Sequence, residues 1–298
     1  MIGLTGEAKL ADCEAQLDKN LWTESIMSWA RKSCKATGIV TTTRVTHASP
    51  AGSFAHVAER DWENDNEVTL SGCDPNIVDD IAEQLIYSDE GRGFKVILGG
   101  GRSNFRNQSV IDEEGKNGYR KDGKDLIEEW QRTRGEGGKA TYVWNKEGLL
   151  NVDTGSTDFL LGLFENDHMR YNLDVVSEKL QNQKPSLSDM TRVAIEMLRK
   201  EENGYFLFIE GGMIDQGHHY NFAQTSLDET KEFSKAIEIA RQMTSEDETL
   251  IVATADHSHV FTYGGYPVSF NLIYELNNLE LFIGTWKSNR STCRSKRC

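Results

Sequence analysis

No apolar run in the chain approaches the roughly 20 residues that a membrane-spanning helix needs. The first 30 residues lack the basic start and apolar core of a signal peptide, so the chain begins as a cytoplasmic protein would. Basic residues are in deficit: 33 Lys and Arg against 47 Asp and Glu leave a formal net charge of −14. That argues against non-specific nucleic-acid binding, which needs basic surface to displace counterions. It says less about an anionic substrate, because bound cations can dominate a local field. The five cysteines show no CxxC spacing, which argues against a thiolate zinc site. Cys13 and Cys73 could pair as a disulfide; five free thiols are the alternative. No internal repeat is visible.

What is present suits a soluble globular protein: 38% hydrophobic and 27% charged residues in 298, room for one large α/β domain or two small ones. Short β-branched runs at 39–43, 95–98, 205–209 and 249–253 read as strands. Between them lie helix candidates at 24–35, 76–88, 189–201 and 226–243. The last opens on an apparent capping box, Ser226 with Glu229, and carries an apolar face of Leu227, Phe233, Ala236, Ile237 and Ala240. Alternation of this kind predicts an α/β fold, a mostly parallel central sheet with helices on both faces. Residues 101–145 are rich in Gly and charge and read as a surface excursion, apart from a helix near 123–133. The end, Lys287 to Cys298, has five basic residues and no acidic ones, so it reads as a basic interaction tail or as sequence unrelated to the fold. Asn107-Gln108-Ser109 and Asn289-Arg290-Ser291 are glycosylation sequons, relevant only to a secreted protein.

The chemistry concentrates at strand ends, where open α/β sheets bind ligands. The run Tyr205 to Ile209 leads directly into EGGMIDQGHH, residues 210–219. Asp215 and His219 are four apart, which puts them on one face of a helical turn within reach of one ion. Alone, such a pair is more often ordinary surface; Glu210 at the strand end and the glycine pair favour a metal. A second cluster, Asp256-His257-Ser258-His259, follows the run Leu250 to Ala253. Asp256 and His257 can turn toward one ion where the strand enters a loop, with His259 as a third ligand or an outer partner. The bland reading makes all three hydrogen-bonded polar residues at a strand terminus. His47 and Ser49 in THASPAG stand at another strand end, although Ser-Pro is also ordinary turn chemistry. Arg60 could clamp a phosphate bidentately, but by sequence logic alone it reads as a solvated arginine.

Taken together, GIVTTTRVTHASPAG, the ER at 59–60, VILGGGR, YFLFIEGGMIDQGHH and VATADHSHVFTYGGYP resemble the animal alkaline phosphatases. The resemblance covers residues 2–267, leaving 268–298 as a divergent basic tail. It implies hydrolysis of phosphate monoesters at two Zn²⁺ and one Mg²⁺, through a serine nucleophile and a phosphoserine. It assigns Asp215 and His219 to one zinc and Asp256 and His257 to the other. Glu210 and Ser49 go to magnesium, with His47 near it; Arg60 becomes the phosphate clamp, and His259 stays an outer candidate. It implies a Cys13–Cys73 disulfide, and hence a secreted ancestor. It further implies a homodimeric, cell-surface, lipid-anchored parent. A structural calcium would use the Phe164 carbonyl and Glu165, but Lys184 stands where the family has a carboxylate, which counts against calcium.

The resemblance places the nucleophilic serine and a metal-bridging aspartate upstream of the matched region, and a third zinc histidine downstream of it. The expectation is therefore an incomplete polypeptide, truncated at both ends and inactive alone, with every metal site short of a ligand. Two rivals stand beside it. One is a non-catalytic remnant that binds metal or phosphate. The other is a related metallohydrolase of phosphodiesters or sulfates, against which the long motif matches weigh.

Overall fold

The computed structural model describes residues 1–259 and the backbone of residues 280–285. The basic stretch 287–298 and the sequon at Asn289 lie outside the described residues. Seven strands form one sheet: β1 (Ala36–Arg44), β2 (Phe94–Gly100), β3 (Ala140–Val143), β4 (Phe159–Leu163), β5 (Tyr205–Glu210), β6 (Thr249–Thr254) and β7 (Glu280–Thr285). Their order is β3-β4-β2-β1-β5-β7-β6. The first five are mutually parallel, while β7 is antiparallel to both β5 and β6. The sheet is thus mostly parallel, as expected. β7 falls within the stretch 268–298 and lies between β5 and β6.

The helices are α1 (Ile26–Lys32), α2 (Ala48–Ala51), α3 (Asp65–Leu70), α4 (Ile81–Tyr87), α5 (Leu126–Gly135), α6 (Lys146–Leu150), α7 (Asn172–Ser177), α8 (Leu187–Leu198), α9 (Met213–His219) and α10 (Ala223–Met243). They cover both faces because successive strand side chains alternate. Ile39, Ile97, Leu161 and Phe208 point to one face, with Met27 of α1, Leu85 of α4 and Trp130 of α5. Val40, Val96, Leu98, Leu160, Leu207 and Ile209 point to the other, with Met190 and Ala194 of α8 and Phe233 and Ala236 of α10.

Two sequence expectations change. α10 begins at Ala223, so Ser226 lies inside it and Glu229 does not close a capping box. The Glu229 carboxylate instead accepts the backbone N–H of Asn172, at the start of α7, at 2.6 Å. A capping box forms instead at α8, where Ser186 accepts from the Asp189 backbone N–H and Asp189 accepts from the Ser186 N–H. Nor is 101–145 a mere surface excursion, since β3 and α5 lie within it and Arg102 and Arg120 are fully buried. Arg120 pairs with Asp80 at 2.9 Å and Asp122 at 2.5 Å, and Arg102 with Asp112 at 2.8 Å. A charge-rich segment can enter the interior when each charge meets an opposite one there. Cys13 and Cys73 are bonded, with Cα atoms 5.6 Å apart.

Candidate metal and phosphate site

The site stands where β1, β5 and β6 end. β1 and β5 are parallel, and β5 and β6 are both antiparallel to β7, so all three deliver their carboxyl ends to one edge. β1 is also where the chain order reverses, with β2 on one side and β5 on the other. Such a switch point leaves a crevice beyond the strand ends. A cavity of about 210 Å³ lies there, lined by Thr43, His47, Ser49, Arg60, Glu210, Gly212, Asp215, His219, Asp256 and His257, among others. Every zinc, magnesium or phosphate residue read from the sequence, His259 aside, lines this one cavity.

Glu210 closes β5 and is buried. The sheet register sets Thr41 of β1 directly opposite it. Thr41 donates to Glu210 Oε2 at 2.5 Å and Thr43 at 3.1 Å. Burial pushes the Glu210 carboxyl above its usual range, hydrogen bonds from Thr41, Thr43 and Ser49 pull it back, and the nearby charge of Asp256 adds to the rise. Buried Glu210, the Ser49 hydroxyl and the nearby Asp256 carboxylate offer an oxygen set suited to a hard cation. The two threonines escaped the sequence reading, where the TTT run was a strand signal and nothing more. Their clue was the alternation itself, which turns 41 and 43 to one side.

Gly211 and Gly212 then let the chain turn into α9. A Cβ on Gly212 would lie 2.4 Å from Thr43 Cγ2 and 3.0 Å from the Glu210 carboxyl carbon, so only glycine fits between strand and site. α9 presents Asp215 and His219 on one face, with Asp215 Oδ2 3.3 Å from His219 Nε2. His259 Nε2 lies 3.4 Å from the other oxygen, Asp215 Oδ1. The three ligand atoms are all within 4.8 Å of one another. Asp215 Oδ1 is out of solvent and accepts no hydrogen bond, a need that a cation would meet. One carboxylate and two imidazoles are a donor set that suits zinc. His259, an outer candidate by resemblance, therefore stands as close to this set as His219 does.

Asp256 and His257 form the second pair, with Oδ2 and Nε2 3.3 Å apart. His257 Nδ1–H donates to the Ser258 carbonyl at 2.9 Å, which leaves Nε2 to face Asp256. At the mouth of the cavity, exposed Arg60 reaches His47, with Nη2 3.1 Å from Nε2. A guanidinium only donates, so His47 must be neutral with its proton on Nδ1. Its surroundings agree: burial, then the charges of Arg44 and Arg60, push the His47 pKa down to about 3. Behind it, Arg44 donates from Nε to both oxygens of buried Glu63 and pairs with Asp167 at 2.6 Å, which anchors the end of β1.

Phe164 and Glu165, the residues of the expected calcium site, also come together, around Lys184. The Lys184 ammonium takes the Phe164 carbonyl at 2.8 Å and the Glu165 carboxylate at 2.9 Å. The Asn107 sequon is partly exposed, its side-chain oxygen accepting from the Ser109 N–H at 2.8 Å. No helix among the described residues is long and apolar enough to cross a membrane.

The family profile for alkaline phosphatase matches residues 8–282. The membrane-bound alkaline phosphatase of Bombyx mori is 48% identical, over 89% of this chain and 48% of its own length. The human tissue-nonspecific alkaline phosphatase is 44% identical, over 85% of this chain and 48% of its own length. The solved alkaline phosphatase of Thermus thermophilus superposes with a TM-score of 0.63 at 27% identity, covering 85% of this chain and 45% of that one. The chain spans about half the length of the curated relatives it matches. With the fold, the cavity and these likenesses in agreement, this chain belongs to the alkaline phosphatase family, whose members are phosphoric monoester hydrolases.

Proposed function

We propose that these residues form the metal- and phosphate-holding part of a phosphate-monoester hydrolase. The observation that carries this reading is the convergence of the Asp/His, Glu/Ser and Arg sets on a single cavity at three strand ends. Asp215 and His219, with His259 beside them, would hold one zinc, and Asp256 and His257 the other. Glu210 and Ser49, positioned by Thr41 and Thr43, would hold magnesium with His47 near it. When bound, such ions supply charge stabilisation for an in-line displacement and activate water. Arg60 clamps phosphate oxygens bidentately and orients the phosphorus toward the cavity. Neutral His47 accepts from Arg60 and so aims the guanidinium without competing with it as a second cation.

The reading assigns no nucleophile among the described residues. The 298 residues expressed alone are accordingly expected to bind zinc and phosphate without appreciable turnover. For the whole protein we extend the reading to a homodimer at the cell surface; the Cys13–Cys73 bond supports the location alone, since disulfides persist in oxidising compartments.

Calorimetric titration of the chain with Zn²⁺ and then inorganic phosphate tests the site. Asp215→Asn should lower zinc affinity at least tenfold, and Arg60→Ala should weaken phosphate while sparing zinc. Absence of saturable zinc binding by the folded chain would sink the proposal. Hydrolysis of p-nitrophenyl phosphate at alkaline pH, at a rate near that of an intact family member, would refute the expectation of inactivity alone.

A further inference from the structure

At the end of β4, three oxygen groups converge on one cation that belongs to the chain itself. Lys184 is buried. Its ammonium donates to the Phe164 carbonyl at 2.8 Å and to the Glu114 carboxylate, and forms an ion pair with Glu165 Oε1 at 2.9 Å. Each carboxylate also meets a second cation. Arg102 Nη2 holds Glu114 Oε2 at 2.8 Å, and Arg170 Nε lies 3.3 Å from Glu165 Oε1. A carbonyl and two carboxylates around a single centre make the donor set of a hard divalent cation, which would want about six to eight oxygens there. Here that centre is filled, and the two carboxylate charges are already met by one lysine and two arginines.

We propose that Lys184 is a covalently attached substitute for a divalent cation, so that this corner of the fold is held together without calcium. The reasoning is electrostatic. A calcium ion entering the cluster would have to displace the ammonium from all three oxygens and leave it buried beside a double positive charge. The lysine instead arrives with the fold at no dependence on calcium concentration. It ties three separated segments, the loop at Glu114, the end of β4 and the approach to α8, as a bound ion would. Burial pushes the Glu165 carboxyl upward, and the Lys184 ammonium beside it opposes that rise.

The test uses the full 298-residue chain with saturating Zn²⁺ and Mg²⁺, so that any response to CaCl₂ arises away from those sites. The wild-type chain should show no change in Tm up to millimolar CaCl₂. Lys184→Asp, which exchanges the ammonium for a further oxygen ligand, should lower Tm by about 6 °C or more in calcium-free buffer. Millimolar CaCl₂ should restore most of that loss. A calcium-dependent rise in wild-type Tm, or a folded Lys184→Asp variant indifferent to calcium, overturns the proposal. A second measurement needs no variant. Amine acylation followed by mass spectrometry should find Lys184 protected with and without CaCl₂, and calcium-induced labelling of Lys184 would likewise overturn it.

Discussion

Replacing Glu229 with glutamine should flatten a pH dependence of stability that the wild-type chain carries between about pH 4.5 and 7. Glu229 is buried on α10, and its carboxylate accepts the Asn172 N–H at 2.6 Å. Burial raises its pKa from the ordinary 4.5 to about 7; the Asn172 hydrogen bond opposes the rise, and the neighbouring charges of Asp228 and Glu232 add to it. The folded state thus holds a proton that the unfolded chain releases. Stability from this group is fully present below pH 4.5 and is lost as pH rises through 7. A gap of about 2.5 pKa units corresponds to about 3 kcal/mol lost by pH 8. Glutamine is neutral throughout and keeps a carbonyl oxygen for Asn172. In urea denaturation, the stability of Glu229→Gln minus that of wild type should therefore grow from near zero at pH 5 to about 2–3 kcal/mol at pH 8. A difference that stays constant across that range, or that falls with pH, would refute the reasoning.

Other outcomes follow from packing and connectivity. Phe233→Ala should cost about 3–5 kcal/mol by urea denaturation, because a fully buried ring of α10 packs against the strand-to-helix turn at Gly211. Replacing both Cys13 and Cys73 with serine should cost about 4 kcal/mol, the chain entropy of a closed loop spanning 60 residues, read as a lower Tm under non-reducing conditions. Gly212→Ala should push Thr43 and Glu210 apart and weaken Mg²⁺ binding roughly tenfold by titration; unchanged Mg²⁺ affinity would show that Glu210 does not serve that ion.

The four strands read from the sequence lie where expected; β2 and β5 are covered on both faces, so they appear as nearly continuous apolar runs. β3 and β4 were not read. Ala140–Val143 is four residues long and half-exposed at the sheet edge, and Phe159–Leu163 is five residues long and carries Gly162 within it. α10 was read correctly along its apolar face and misread at its start, because Ser226 and Glu229 satisfy a local pattern whose partner turned out to be Asn172, 57 positions away in the chain. The segment 101–145 reads as surface for a like reason: charged residues such as Arg102 and Arg120 look solvated until their counter-charges are placed around them.

The sequence by itself determined the kind of chemistry. Glu210, Asp215 and His219 sit within ten residues, and strand-end spacing plus helical periodicity is enough to turn them to one side. The family resemblance rests on the same local runs. Only the tertiary structure decided what meets what across the sheet. The parallel register of β1 on β5 sets Thr41 opposite Glu210, the bend after β6 brings His259 to Asp215, and the packing of α8 delivers Lys184 onto the oxygens of Phe164, Glu114 and Glu165. Contacts between residues tens to more than a hundred positions apart depend on how strands order and helices cross. No local pattern encodes them, because the forces that select them act between surfaces that exist only once the chain has folded.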